Sequence, residues 1–221
     1  MIRKQIAIIG LGKFGSSLAM SLVDMGCEVI GIDKDEEKVR AVANRIKLAV
    51  SMDALDPQAL KDIGLRNVDA VVVSIGENIE ANILIVMLLK KQGITNIVAK
   101  AVSELHASVL EQMDIGWVVF PERDMAVRIA KNIVQPDVME SISLSSDYSI
   151  VEMPAPMSKW NQTLIESNLR SQFSLSVIAI RPKQSEDLHI NPSPQTMIKR
   201  GDLLVLLGKN TDIDLFRENC P

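Results

Sequence analysis

The stretch "IAIIGLGKFGSSLAMSLVDMGCEVIGID", residues 6–33, reads as a strand, a glycine-rich turn, a helix and a second strand that ends on an acid. Gly10, Gly12 and Gly15 form a G-x-G-x-x-G between the first strand and the helix. In that setting the first glycine allows the tight turn, the second lets backbone approach a pyrophosphate, and the third lets helix meet strand closely. Phosphate then sits at the helix N-terminus, where free N–H groups and the dipole favour an anion. Asp33 ends the second strand and is placed to accept hydrogen bonds from ribose hydroxyls. Its charge repels a 2′-phosphate and disfavours NADP, leaving NAD(H), ATP, ADP and AMP open. Lys13 lies inside the loop. Its ammonium either reaches phosphate oxygens, favouring a polyphosphate over a pyrophosphate bridge, or is simply solvated.

The same alternation continues outward. Strands are expected at 6–10, 28–33, 47–51, 70–74, 97–100 and 117–120, and helices at 15–25, 36–44, 57–63, 79–91 and 104–113. "MGC", "IGL", "QGI" and "DIG" each put a glycine just after a helix, where a left-handed cap is cheap. Runs such as "AVVVS" are continuously apolar, as in a parallel sheet covered on both faces. The expected fold class is α/β, a Rossmann-like doubly wound parallel sheet. "SIGE" (Ser74–Glu77) and Lys100 fall at the carboxyl ends of strands four and five, where ligands of such sheets bind, and "SMDA" (Ser51–Ala54) could flank an adenine. A further helix is expected from Glu122 to Val134, with Met125, Ile129 and Ile133 on an apolar stripe beside Ala126 and Ala130. That stripe either packs onto the domain core or meets a second subunit.

Near "QPDVM" the character changes. Prolines become frequent, and short strands are expected at 139–143, 149–153, 176–181 and 203–208, with "TLIESNLRSQF" helical between them. This predicts a nucleotide-binding domain over 1–136, including a crossover helix, and a small α+β domain over 137–221. No internal repeat or low-complexity linker separates them.

Composition narrows the function. The 221 residues are 47% hydrophobic and 24% charged, which suits a globular chain with a real core. A net charge of −4 and 3% aromatics provide neither a basic surface nor stacking platforms, so no nucleic-acid partner is expected. The longest apolar run, "ILIVMLL" (Ile83–Leu89), is far short of a bilayer span and reads as a buried helix. "MIRKQIAIIG" enters a strand at once without a signal-peptide pattern, so a cytoplasmic location is expected. Cys27 and Cys220 suggest neither a disulfide framework nor a metal knuckle, and His106 and His189 are too scattered for zinc. Hydride transfer would need an acid or base facing the nicotinamide. The second half offers only His189 in "LHINPSP", so an NAD-dependent oxidoreductase with a reduced substrate domain is the weaker alternative. A nucleotide-binding redox sensor acting on DNA would lack a basic recognition element.

"IIGLGKFGSSLAMSL…GCEVIGIDKDEEKV", "VVVSIGENIEANI" and "IVAKAVSELHASVLEQMDIGWVVFPERDMAVRIA" resemble the N-terminal regulator-of-potassium-conductance (RCK, or KTN) domain. The match is nearest to the cytosolic gating subunits of Ktr/Trk-type potassium uptake systems, the KtrA group. "NLRSQFSLSVIAIRP", "NPSP" and "IKRGDLLVLLG" resemble the small RCK C-terminal (TrkA-C) domain, so the resemblance covers essentially the whole chain. It implies a non-enzymatic regulator peripheral to the cytoplasmic face of the membrane. Paired Rossmann lobes would assemble into an octameric ring under a membrane-embedded potassium-translocating subunit. It implies that ATP and ADP, and in some members NAD(H), bind the Rossmann site and favour different ring shapes. The implied contacts are Gly10, Gly12, Lys13, Phe14 and Gly15 of the phosphate loop; Asp33, Lys34 and Asp35 around the ribose; Asp53 and Ala54 near adenine; Ile75 and Gly76 after strand four; and Lys100, Ala101 and His106. Lys13 stands where relatives often carry an arginine, keeping the charge but losing the fork. Glu122 of "PERD" matches an acid that helps hold a cation beside the phosphates. Read without the family, it is a helix-start acid favoured by the dipole. In the small domain, Arg170 and "INPSP" correspond to a cleft where some relatives bind cyclic di-AMP.

Overall fold

The structure is a computed structural model that describes residues 3–134, 140–183, 185 and 187–220. Contacts divide the chain into two compact units, 1–125 and 126–221.

In the first unit the elements alternate strictly: β1 (Gln5–Ile9), α1 (Lys13–Asp24), β2 (Glu28–Asp33), α2 (Glu36–Ala43), β3 (Leu48–Ser51), α3 (Pro57–Asp62), β4 (Ala70–Val73), α4 (Ile79–Lys91), β5 (Ile97–Lys100), α5 (Glu104–Gln112) and β6 (Trp117–Val119). The six strands form one sheet in the order β3-β2-β1-β4-β5-β6, and every neighbouring pair is parallel. Because side chains alternate across a strand, β1 feeds two cores. Ile6 and Ile8 join Leu11, Ala19, Val29, Val39 and Val42 under α1 and α2. Ala7 and Ile9 join Ile32, Val71, Ile85, Leu89 and Leu110 under α4 and α5. That double coverage is why these strands read as unbroken apolar runs. The strand order reverses between β1 and β4, so the glycine loop sits at the switch point of the sheet.

Helix starts are cut by local chemistry. Asp35, Asp56, Asn78 and Ser103 each accept a backbone N–H from the first turn of α2, α3, α4 and α5. At the helix ends, Gly26, Gly64 and Gly93 take left-handed φ values of 83°, 73° and 84°. In "DIG" the left-handed residue is Asp114 (φ 51°), not Gly116. An aspartate tolerates that conformation through its short polar side chain. "ILIVMLL" lies in α4 with Ile85, Val86 and Leu89 buried, but Met87 is half exposed.

Helix α6 (Pro121–Val134) starts in the first unit and crosses into the second. Of the two expectations for its apolar stripe, packing onto the core is not what is seen. Met125 and Ile129 are each 50% exposed and Ile133 74%.

The second unit is a five-stranded antiparallel sheet in the order β10-β9-β11-β8-β7, with β7 (Glu140–Ser143), β8 (Tyr148–Pro154), β9 (Ser176–Arg181), β10 (His189–Ile190) and β11 (Leu203–Lys209). Met139, expected to open β7, lies outside the described residues. "TLIESNLRSQF" is two short helices, α7 (Leu164–Ser167) and α8 (Leu169–Phe173), because Asn168 between them is left-handed at φ 56°. Three elements of this unit were not expected from the sequence: a single 3-10 turn at Met157–Lys159, the two-residue β10, and α9 (Asn210–Asn219). Helix α9 buries Ile213 and Phe216 against the sheet, with Phe216 edge-on to Phe173 at 5.2 Å between ring centroids.

No helix among the described residues is long and apolar enough to cross a membrane.

Phe216 is fully buried, so Phe216→Ala should cost the second unit about 3–5 kcal/mol. Urea unfolding followed by Trp160 fluorescence in a Trp117→Phe background should show the midpoint fall by a corresponding amount.

Candidate functional site

The glycine loop is shaped by contacts that leave no choice at two positions and full freedom at a third. Gly10 has φ 97°, its N–H donates to the Ile32 carbonyl at 2.8 Å, and its own carbonyl accepts the Ser74 hydroxyl. A Cβ on Gly15 would lie 1.9 Å from that Gly10 carbonyl oxygen and 2.5 Å from Ser74 Oγ. Gly12 is different: a Cβ there would meet nothing within 4 Å. It is the N-cap of α1, with no side chain capping the helix and no acid in the first turn. The start of α1 therefore presents uncapped N–H groups beneath open space, an arrangement suited to an anion. Lys13 is exposed at this helix start, and Phe14 is half-buried beside it.

Asp33 braces the loop from the side. One carboxylate oxygen accepts the Leu11 N–H at 2.6 Å and the other accepts the Asp35 N–H at 2.9 Å. Each oxygen keeps a further lone pair for a hydroxyl donor. Lys34 is exposed next to it, whereas Asp35 caps α2 through the Glu37 N–H at 3.0 Å. Asp53 is exposed and folds onto its own turn at the Leu55 N–H, while Ala54 beside it is buried.

On the other side of the switch point, Lys100 gathers several elements. Its stem lies over Gly76, where a Cβ would be 3.2 Å from Nζ and 3.3 Å from Cε. Its ammonium is 6.0 Å from the Phe14 ring centroid and 2.5 Å from Glu122 Oε1. The hydrogen bond from Lys100 holds the Glu122 carboxyl below its ordinary value of 4.5. Asn82, fully buried in α4, donates to the carbonyls of Ile75 at 2.7 Å and Lys100 at 3.2 Å, tying the ends of β4 and β5 together. Asn82 is an organising residue that motif reading passed over, while Ser74, expected at the ligand edge, instead donates to the Gly10 carbonyl. A lone asparagine opening the "NILIVMLL" run was the available signal for Asn82.

Three sequence-derived sites behave otherwise. Ala101 is core, its N–H bonded to the Val119 carbonyl at 2.9 Å, so it offers a ligand no side chain. His106 is 2% exposed, and neither ring nitrogen has a partner. Glu122 is a single carboxylate already paired with Lys100, and no group of three or more His, Cys, Asp or Glu converges among the described residues. These residues do not by themselves fit a cation. One held at Glu122 would need further oxygen ligands beyond that carboxylate.

The chain has likenesses to known proteins along most of its length. Residues 6–121 match the TrkA-N domain and residues 150–220 the TrkA-C domain. The chain belongs to the TrkA-N/TrkA-C family. It is 39% identical to the Ktr system potassium uptake protein C of Bacillus subtilis (strain 168), over 98% of this chain and 97% of that one. It is likewise 39% identical to the Ktr system potassium uptake protein A of the same organism, over 96% and 95%. The solved GsuK channel bound to NAD shares the fold at 24% identity and a TM-score of 0.56, covering 99% of this chain but 38% of that one. The chain thus spans well under half of that channel.

In the TrkA-C half, Arg170 and the "INPSP" stretch do come together. Arg170, Leu164, Ile165, Asn168, Pro192 and Pro194 help line an open cavity of about 360 Å³.

Two tests follow from the TrkA-N half. Gly15→Ala should destabilise it by about 1–3 kcal/mol through the clash with the Gly10 carbonyl, whereas Gly12→Ala should stay within about 1 kcal/mol of the parent. Chemical denaturation separates the two. Burial holds the His106 imidazole below its ordinary 6.5. The unfolded chain therefore binds the extra proton first as pH falls below that value, and stability drops with it, by at most about 1.4 kcal/mol per pH unit. The carboxyls held low, Glu122 and Glu166, titrate below 4.5. Melting temperatures between about pH 5 and 7 should accordingly fall toward acid in the parent and flatten in His106→Leu.

Proposed function

We propose that the chain is a nucleotide-sensing regulatory subunit of a Ktr-type potassium uptake system, acting on a membrane-embedded potassium-translocating partner from the cytoplasmic face. The observation that carries the reading is the open, uncapped start of α1 at Gly12, flanked by the Asp33 carboxylate, in a chain so similar along its length to Ktr proteins. On this reading the N–H groups at Gly12–Gly15 bind phosphate, and Asp33 binds ribose hydroxyls. Asp53 and Ala54 flank adenine, with Lys34 nearby, and Ile75, Gly76 and Lys100 line the far side. Lys13 and Lys100 bring positive charge for a polyphosphate, which favours ATP and ADP. The GsuK channel bound to NAD supports NAD(H) as the second candidate at the same loop. The half-exposed stripe on α6 supports pairing of two chains there, as the first step towards a ring. The cavity at Arg170 suits a second, anionic ligand of the cyclic dinucleotide class. On this reading the role is that of a sensor, which the likeness to potassium uptake proteins supports.

Nucleotide can switch such an assembly only through different affinity for its two shapes. Moving a 1:99 equilibrium to 99:1 takes about 5.5 kcal/mol of differential binding, spread over the subunits of the assembly. Calorimetric titration of the nucleotide-stripped full chain with ATP, ADP and NADH is the deciding experiment. ATP should bind more tightly than NADH, and Lys13→Ala should erase the difference between ATP and ADP. Tight NADH with weak ATP would replace the reading with a redox-linked sensor.

A further inference from the structure

Lys100 is the most constrained cation near the loop. Its side chain is 12% exposed against 71% for Glu122, so the ammonium is nearly enclosed while its partner faces solvent. Enclosure comes from three directions: Phe14 in the first turn of α1, Gly76 after β4, and Glu122 in the first turn of α6. Gly76 is what admits the stem, since a side chain there would meet both Cε and Nζ at 3.2–3.3 Å. An ammonium carries three donors, and among the described residues its one hydrogen bond is to Glu122. Two donors are thus left at the edge of the loop. Burying a cation with one exposed carboxylate is a weak arrangement, and a phosphate oxygen would be a strong second acceptor.

Glu122 opens α6, the helix that leaves the first unit and runs into the second. Its first turn is held by two ion pairs, Lys100–Glu122 and Arg123–Glu104, each at 2.5 Å. Of these two, the pair through Lys100 also borders the loop, through Phe14 and Gly76.

We propose that Lys100 is a coupling residue, its ammonium shared between Glu122 and the phosphates of a nucleoside polyphosphate on the β1–α1 loop. Ligand binding then loosens the Lys100–Glu122 pair and releases one of the two tethers on the first turn of α6. This rests on the nucleotide reading of the loop. Occupancy of the loop is thereby converted into a change at the start of the connecting helix.

The test is a double-mutant cycle on the full chain, stripped of nucleotide and kept in EDTA, with ATP affinity measured by calorimetry. Glu122→Gln removes the competitor for the ammonium and should tighten ATP about three- to fivefold, the order of a partly exposed ion pair. Lys100→Met should weaken ATP. In the Lys100→Met background, Glu122→Gln should change affinity less than twofold. Glu104→Gln, which breaks the other tether, should leave ATP affinity within twofold of the parent. Equal tightening by Glu122→Gln in both backgrounds would reduce the effect to general charge repulsion and overturn the proposal, as would no tightening at all. A parent chain that binds no nucleotide would instead remove the reading of the loop on which the proposal stands.

Discussion

Helix α1 can begin where it does because nothing protrudes from Gly15. The Gly10 carbonyl occupies the place a Cβ would take, 1.9 Å away, and the Ser74 hydroxyl donates to that same carbonyl. This single close approach sets the entry of the chain into α1 and ties the end of β4 to the loop. It also leaves the N–H groups of the first turn facing outward at Gly12. Asp33 then fixes the loop from β2, and Asn82 fixes the ends of β4 and β5 against each other. What looks like a binding motif is first a packing solution, and its openness at one glycine is what suits it to an anion.

The same edge of the sheet holds a contrast in how charge is managed. Asp33 is satisfied by backbone donors and keeps acceptor capacity, while Lys100 is enclosed and leans on one exposed carboxylate. A carboxylate braced by backbone suits a permanent recognition element. A cation held by an exposed side chain suits an element that changes partner. His106 belongs to neither group, since its ring is buried without a partner and is held neutral by its surroundings. Its place is in the packing of α5, and its cost appears on acidification.

Much of the first unit was legible in the sequence, because a doubly covered parallel strand is apolar through its middle and α2, α3, α4 and α5 each carry a side-chain cap. β2, β5 and α4 are clear for those reasons. The second unit was less legible. The break at Asn168 depends on one left-handed residue in an otherwise helical stretch. Helix α9 follows β11 directly at Asn210, with Gly208 inside the strand and not in a turn between them, and its buried apolar positions are Ile213 and Phe216 alone. Strand β10 is two residues defined by pairing with β9, which no local pattern announces.

Within the candidate site, backbone positions and the acid at the end of β2 follow from the sequence by itself, since turn geometry and strand ends are local properties. Gly10, Gly12, Gly15 and Asp33 are of that kind. Tertiary structure alone decided that Ala101 faces the core, that His106 is enclosed, and that Lys100 lies over Gly76 to reach Glu122. These depend on what lies across the sheet from each side chain. Residues 76, 100 and 122 are far apart in the chain, and only the parallel stacking of β4 and β5 under the start of α6 brings them within bonding distance.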